Sequence, residues 1–142
     1  MSYDRLMHQI AQGETLDSGA IATNTWTLVL TDAVLLEHLV ARYTSQATVG
    51  NRTVVLEILD ANNAVLAAMA GDVTQAASLT RSYVFGRGLP ADAAFVGTTL
   101  QRPTHLYRLE AGWKIRVRDS ANIAAGDSLR VLATARRIRS TI

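Results

Sequence analysis

The chain has no cysteine among its 142 residues. Disulfides, thiolate metal sites and a cysteine nucleophile are therefore excluded. Lysine is nearly missing as well, with Lys114 alone against thirteen arginines. Histidine occurs at His8, His38 and His105, far apart and without a second histidine or carboxylate at metal-ligating spacing. His38 has Glu37 beside it, but neighbours on a strand point to opposite faces. No apolar run reaches the roughly 18 residues needed to span a bilayer. The opening MSYDRLMHQIAQGETLDSG lacks the apolar core of a signal peptide. These absences predict a soluble chain with no membrane partner, made outside the general secretory route. Nucleotide motifs are missing too. Gly86-Arg87-Gly88 lacks the third glycine and the following helix of a dinucleotide loop, there is no P-loop, and no GxSxG elbow supports a serine triad.

What is present is alternation. Thr53 to Ala70, TVVLEILDANNAVLAAMA, reads as two apolar runs folded back on a polar Asp-Ala-Asn-Asn tip. Asp60, Asn62 and Asn63 at that tip carry oxygens suited to Ca²⁺, but the glycine and distal glutamate of an EF-hand loop are missing. Trp113 to Arg118 and Asp127 to Leu132 form a similar pair near the end of the chain. Thr25 to Thr31 alternates with Trp26, Leu28 and Leu30 on one side. Leu35 to Ala47 satisfies two patterns: Leu35, Leu36, Leu39 and Val40 have helical spacing, whereas Leu39, Ala41, Tyr43 and Ser45 alternate with polar residues. Its β-flanks decide for a strand. Ala77 to Gly86 gives another strand, with Leu79, Arg81, Tyr83 and Phe85 on one side, and Phe95 to Leu100 a short edge strand. Leu106 and Leu109, after Pro103, are placed to face inward.

About eight strands follow, and the fold class is all-β: an antiparallel β-sandwich, jelly-roll-like, with an N-terminal arm or short helix. The predicted boundary lies at residue 24. Residues 1–24 form the arm, with Leu6, Met7 and Ile10 on one side of a short helix and Gly13 to Asn24 extended. Residues 25–142 form the sandwich with a short basic tail.

Seven of the fourteen cations lie from Lys114 onward: Lys114, Arg116, Arg118, Arg130, Arg136, Arg137 and Arg139, opposed locally by Asp119 and Asp127. Alternation makes the strand positions the solvent side of amphipathic strands. Arg136, Arg137 and Arg139 are candidates for a basic surface, for an acidic partner or for nucleic acid. The aromatics, most of them inside strands, are predicted to pack rather than to stack on a ligand. Trp26, Trp113 and Tyr107 are the rings that a carbohydrate-binding sandwich would expose.

From Tyr43 onward, the fragments Gly50-Asn51-Arg52, Gln75-Ala76-Ala77-Ser78, Gly88-Leu89-Pro90, Gly112-Trp113 and Gly126-Asp127 occur in an order that resembles small virion proteins of tailed bacteriophages. The match covers about residues 43–135. The resemblance implies a virion structural protein with no enzymatic activity; the residues themselves give no catalytic or metal-binding set and call for no cofactor. The reading it favours is a capsid decoration or cement protein, made in the host cytoplasm and bound to the major capsid protein on the capsid surface. A homo-oligomer, with a trimer favoured, is expected, and nucleic acid is not expected as a partner. Tyr3, Leu6, Met7 and Ile10 are the docking candidates. A neck or tail connector, or fibre-attachment subunit, and a carbohydrate-binding module are the alternatives.

Overall fold

The computed structural model describes residues 13–71, 74–86, 99–102, 107–123 and 126–138. They form ten strands: β1 (Gly13–Asp17), β2 (Thr25–Val29), β3 (Ala33–Thr44), β4 (Val54–Leu59), β5 (Val65–Ala70), β6 (Thr80–Gly86), β7 (Thr99–Arg102), β8 (Tyr107–Leu109), β9 (Lys114–Asp119) and β10 (Ser128–Ile138). One sheet runs β1-β10-β3-β6-β7, with β8 pairing β3 beyond the end of β6; the other runs β2-β9-β4-β5. Every pairing is antiparallel except β6 with β7.

Without β7 and β8, the pairs are β1 with β10, β2 with β9, β3 with β6 and β4 with β5. That is one long antiparallel ribbon folded over on itself. Two further ladders, β10 with β3 and β9 with β4, sew its turns into two sheets. The result is a jelly roll, the double-sheet arrangement used by viral capsid domains, lectins and cupins.

Alternation on each strand supplies the core. Leu36, Leu39, Tyr43, Phe85 and Val131 project from the larger sheet, and meet Leu56, Ile58, Ile115 and Val117 from the smaller. Trp26 and Trp113 lie partly buried against this cluster, so the two tryptophans pack as predicted and do not form an exposed sugar platform.

The double reading of Leu35 to Ala47 has a structural cause. The inward residues of β3 are Val34 and Leu36, then Leu39, Ala41 and Tyr43. Between them the register with β10 slips: Leu36 faces Ala135 and His38 faces Thr134, leaving Glu37 without a partner. This is a β-bulge, which switches the face on which odd and even positions lie. The step of three from Leu36 to Leu39 is what imitates a helix.

Three expectations change. Residues 13–24 are not a separate arm: β1 pairs with β10 along its whole length, and Ile21 exchanges backbone hydrogen bonds with Leu129. Gly, Ser and Thr made this stretch look like a linker, but the unpaired edge of β10 offers it a ladder. The supposed basic tail is also partly strand, because β10 continues to Ile138. Leu79 lies outside β6 and is 39% exposed, since β6 begins at Thr80. The extra strands relative to eight are β1 and β8. The Phe95–Leu100 segment gives β7 at Thr99–Arg102, parallel to β6, while residues 87–98, including Gly88-Leu89-Pro90, lie outside the described residues. The helix expected in residues 1–12 lies outside them too.

Gly71 closes β5 against the core. A Cβ added there would lie 2.8 Å from Cδ1 and Cε1 of Tyr83. The Tyr83 ring cannot swing away, because its hydroxyl donates to Gln75 Oε1 at 2.9 Å. Gly71→Ala is expected to lower stability by about 1–3 kcal/mol, the usual cost of overpacking, read as a lower urea midpoint with unchanged slope.

Candidate functional site

The densest polar chemistry of the described residues lies at one end of the sandwich, inside it. Gly50 (φ 140°) and Gly126 (φ 68°) turn the backbone through conformations that favour glycine. A side chain at Gly50 would also meet Ile123 Cδ1 at 2.9 Å. These two turns deliver Arg52 and Asp127 inward, where they are 0% and 2% exposed.

Arg52 donates from Nε to Asp127 Oδ2 at 2.9 Å and from Nη2 to Oδ1 at 3.2 Å. Its Nη1 donates to the carbonyls of Thr48 (2.9 Å) and Gly50 (2.7 Å). Asp127 also accepts from the Tyr43 hydroxyl at 2.7 Å and the Gln46 N–H at 2.8 Å. The fork geometry of arginine suits this bidentate pairing.

Gln75 extends the network. It exchanges backbone hydrogen bonds with Arg52, both at 2.8 Å. Its Nε2 donates to the carbonyls of Tyr43 (3.0 Å) and Leu79 (2.8 Å), and its Oε1 accepts from Tyr83. Ser45 Oγ donates to the Ala76 carbonyl at 2.6 Å and accepts from the Leu79 N–H at 3.1 Å. Nearby, Asp119 accepts the N–H groups of Thr53, Ala121 and Ile123. The hub thus ties the end of β3, the starts of β4 and β10, and the loop before β6 into one unit.

Titration behaviour follows from this packing. Burial by itself would raise the Asp127 carboxyl, but Arg52, the Gln46 N–H and the Tyr43 hydroxyl outweigh it and hold it below the usual carboxylate range. Tyr43 is pushed up by burial and by the Asp127 carboxylate. Tyr83 is pushed up to about 12, mainly by burial. Arg52, Gln75 and Asp127 are all buried, and the partners of their polar atoms are other groups of the fold itself.

The basic C-terminal stretch is divided between the two outer faces. Ile115 and Val117 point inward, so Lys114, Arg116 and Arg118 lie on the outer face of the smaller sheet. Leu129 and Val131 point inward, so Arg130 lies on the outer face of the larger. The local acids do not oppose these cations, since Asp119 and Asp127 are committed inside. Distant acids do. Arg116 Nε is 3.0 Å from Glu57 Oε1, Arg118 binds the same carboxylate, and Arg130 Nη2 is 2.8 Å from Asp17 Oδ2. Glu57 is 4% exposed although it faces outward; burial raises its carboxyl, but Arg118 and Arg116 prevail and lower it.

Of the predicted basic surface, Arg136 and Arg137 sit on β10, Arg136 paired with Glu37 and Arg137 Nη1 3.4 Å from Asp32 Oδ2. Arg139, Tyr3, Leu6, Met7 and Ile10 lie outside the described residues. At the hairpin tip, Asp60 Oδ1 accepts the N–H groups of Asn62 (2.8 Å) and Ala64 (2.9 Å), and Asn63 Oδ1 accepts from the Lys114 ammonium. The lysine on the Asn63 oxygen opposes a cation there. Among the described residues no cluster of three or more His, Asp or Glu could hold a metal ion. The hub was missed in the sequence because its members are scattered and polar. The signal available was a charged residue directly after a turn glycine, at Asp127, and one position further on, at Arg52.

No protein-family model matches the chain, and no curated protein matches it. Among solved structures, it is similar to a chain of infectious bursal disease virus, Gt strain, at 12% identity and a TM-score of 0.27, covering 93% of this chain and 37% of that one. A chain of the Gx strain is similar at 7% identity and a TM-score of 0.25, with 89% and 38% covered. The chain spans less than two-fifths of the length of either. At these scores the likeness carries no weight for function.

Asp127→Asn leaves the Arg52 charge buried without its partner. It is expected to cost about 3–5 kcal/mol in urea unfolding; Tyr43→Phe, which removes one donor, about 1–3 kcal/mol. The pH dependence has a definite sign. The folded carboxyl is depressed, so the unfolded state binds its proton first as pH falls. The Asp127 contribution is complete above the ordinary carboxylate range and is lost as pH drops through the depressed folded value. The wild-type urea midpoint should fall steeply with acid, and that of Asp127→Asn less so; parallel profiles would contradict the assignment.

Proposed function

We propose that the protein is a structural component of a bacteriophage virion, a decoration or cement subunit that binds the major capsid protein and stabilises the head, without enzymatic activity. One observation carries this reading. Three of the five fragments that resemble phage virion proteins converge on a single structural device. Arg52 ends Gly50-Asn51-Arg52, Gln75 opens Gln75-Ala76-Ala77-Ser78 and Asp127 ends Gly126-Asp127; all three meet in the buried hub. Gly112, in Gly112-Trp113, makes the turn into β9, its N–H donating to the Leu30 carbonyl at 2.7 Å. The shared residues Arg52, Gln75, Gly112 and Asp127 are thus ones that keep a jelly roll closed, which supports a resemblance of scaffold. A fold alone does not fix a function, but it leaves both outer faces and the sheet edges as the working surface. On a symmetric shell, many weak contacts of this kind add through effective concentration.

The docking candidates Tyr3, Leu6, Met7 and Ile10 precede β1, which starts at Gly13 on the edge of the larger sheet. Truncation must therefore stop before Gly13 to spare the β1–β10 ladder. Removal of residues 1–12 is expected to leave a cooperatively folding domain that no longer coats capsids in a reconstitution followed by cryo-EM. Full occupancy by the truncated chain would remove the arm from the mechanism. Absence of the intact protein from purified particles would remove the virion role. Density confined to a ring at one vertex would move it to the neck or tail.

A further inference from the structure

We infer that β5 is a self-association edge, on which a second copy of this chain pairs antiparallel about a twofold axis, joining two four-stranded sheets into one of eight strands. Among the described residues, β5 is the last strand of the smaller sheet and pairs only with β4. The Gly71 N–H donates to the Val54 carbonyl at 2.9 Å, and Met69 faces Leu56 in the same phase. In an antiparallel ladder these groups alternate, so the backbone N–H and C=O of Ala68 and Ala70 point away from β4 toward the open edge.

Natural sheets usually blunt such an edge with lysine, proline or an inward-pointing charge. Val65–Ala70, VLAAMA, has none of these, and its flanking charges in sequence are Asp60 and Asp72. The one edge-blunting device it has is a bulge at its start, where Leu59 faces Val65 and Ile58 faces Ala67, leaving Ala67 to Ala70 regular. Beside the bulge, Val65 and Leu66 are each 50% exposed. The other edge of the same sheet, β2, comes against β10.

The occupant follows from self-complementarity. An axis through Met69 sets Ala68 opposite Ala70 of the second copy and Ala70 opposite its Ala68, so the free backbone groups pair reciprocally. Met69, which packs on the core from its own side, would meet its own counterpart and continue that core. Glu57, the buried acid on β4, lines up with Val55 of the second copy; its own counterpart lies two residues along and three interstrand spacings away, more than about 14 Å, beyond the Debye length of about 8 Å at physiological salt. Among the described residues no like charges therefore oppose the pairing. A closed pair also removes the open edge, and an isologous contact stops at two. This favours a dimer over the trimer expected above, and it does not depend on a virion role.

Sedimentation equilibrium of the intact protein across a concentration series tests it, because a short strand pair buries less than the roughly 1,200 Å² of a stable complex and associates weakly. Wild type is expected to shift from monomer to dimer with concentration. Ala68→Pro removes an outward N–H and leaves the β4 ladder whole; Ala70→Lys sets two lysines diagonally across the axis, a like-charge pair. Both are expected to raise the dimer dissociation constant at least tenfold with an unchanged melting temperature. If the proline variant unfolds, the lysine variant decides. A wild type that stays monomeric to millimolar concentration, a trimer, or a dimer that survives the substitutions overturns the inference. None of these outcomes bears on particle association, which tests the virion role separately.

Discussion

The Arg52–Asp127 pair is the constraint around which the rest is arranged. A buried ion pair gains little by itself, since desolvation of two charges offsets their attraction. Its value here lies in the number of separate chain segments that must be in place to satisfy it. Tyr43, Gln46, Thr48 and Gly50 all contribute a partner, and Arg52 is held in turn by backbone pairing with Gln75. A register error in any of these segments would leave a charge in the interior unpaired. The hub therefore selects one closure of the ribbon over others, at the end where loops from both sheets meet.

Away from the hub, the sandwich is held by ordinary apolar burial between two sheets. Tyr43 and Tyr83 link the two systems. Each ring lies in the core and each hydroxyl reaches into the polar network, to Asp127 and to Gln75 respectively. An aromatic with a polar handle suits this boundary. Outside, ion pairs run across neighbouring strands, as in Arg116 and Arg118 on Glu57 and Arg130 on Asp17. Such pairs contribute modestly to stability when exposed. They do set which faces carry charge, and they leave β5 as the uncharged border of one sheet.

Much of the strand layout is legible in the residues. The hairpin of β4 and β5, the strand at β9 and the inward set of β3 from Leu39 to Tyr43 all follow a period of two. Their turns carry Asp60 with its Asx-type hydrogen bonds, and Gly112. Three things were not legible. β1 has no apolar alternation of its own and becomes a strand because β10 presents an unsatisfied edge. The bulge at Glu37 depends on the pairing of β3 with β10, and its trace in the sequence resembles a helix. The hub residues are polar and lie dozens of positions apart, so local patterning places them on the surface.

The residues alone determined that this chain is a β protein without cysteine chemistry, with alternating strands and an apolar inside, because side-chain alternation is a local property of extended backbone. Pairing is a property of strands distant in sequence, and tertiary structure alone decided it. It made β1 part of the body, set the jelly-roll order of the two sheets, divided the arginines between opposite faces and assigned Asp119 and Asp127 to the interior. The physical reason is that a buried donor or charge must find a partner, and which partner lies within reach depends on how the whole ribbon has closed.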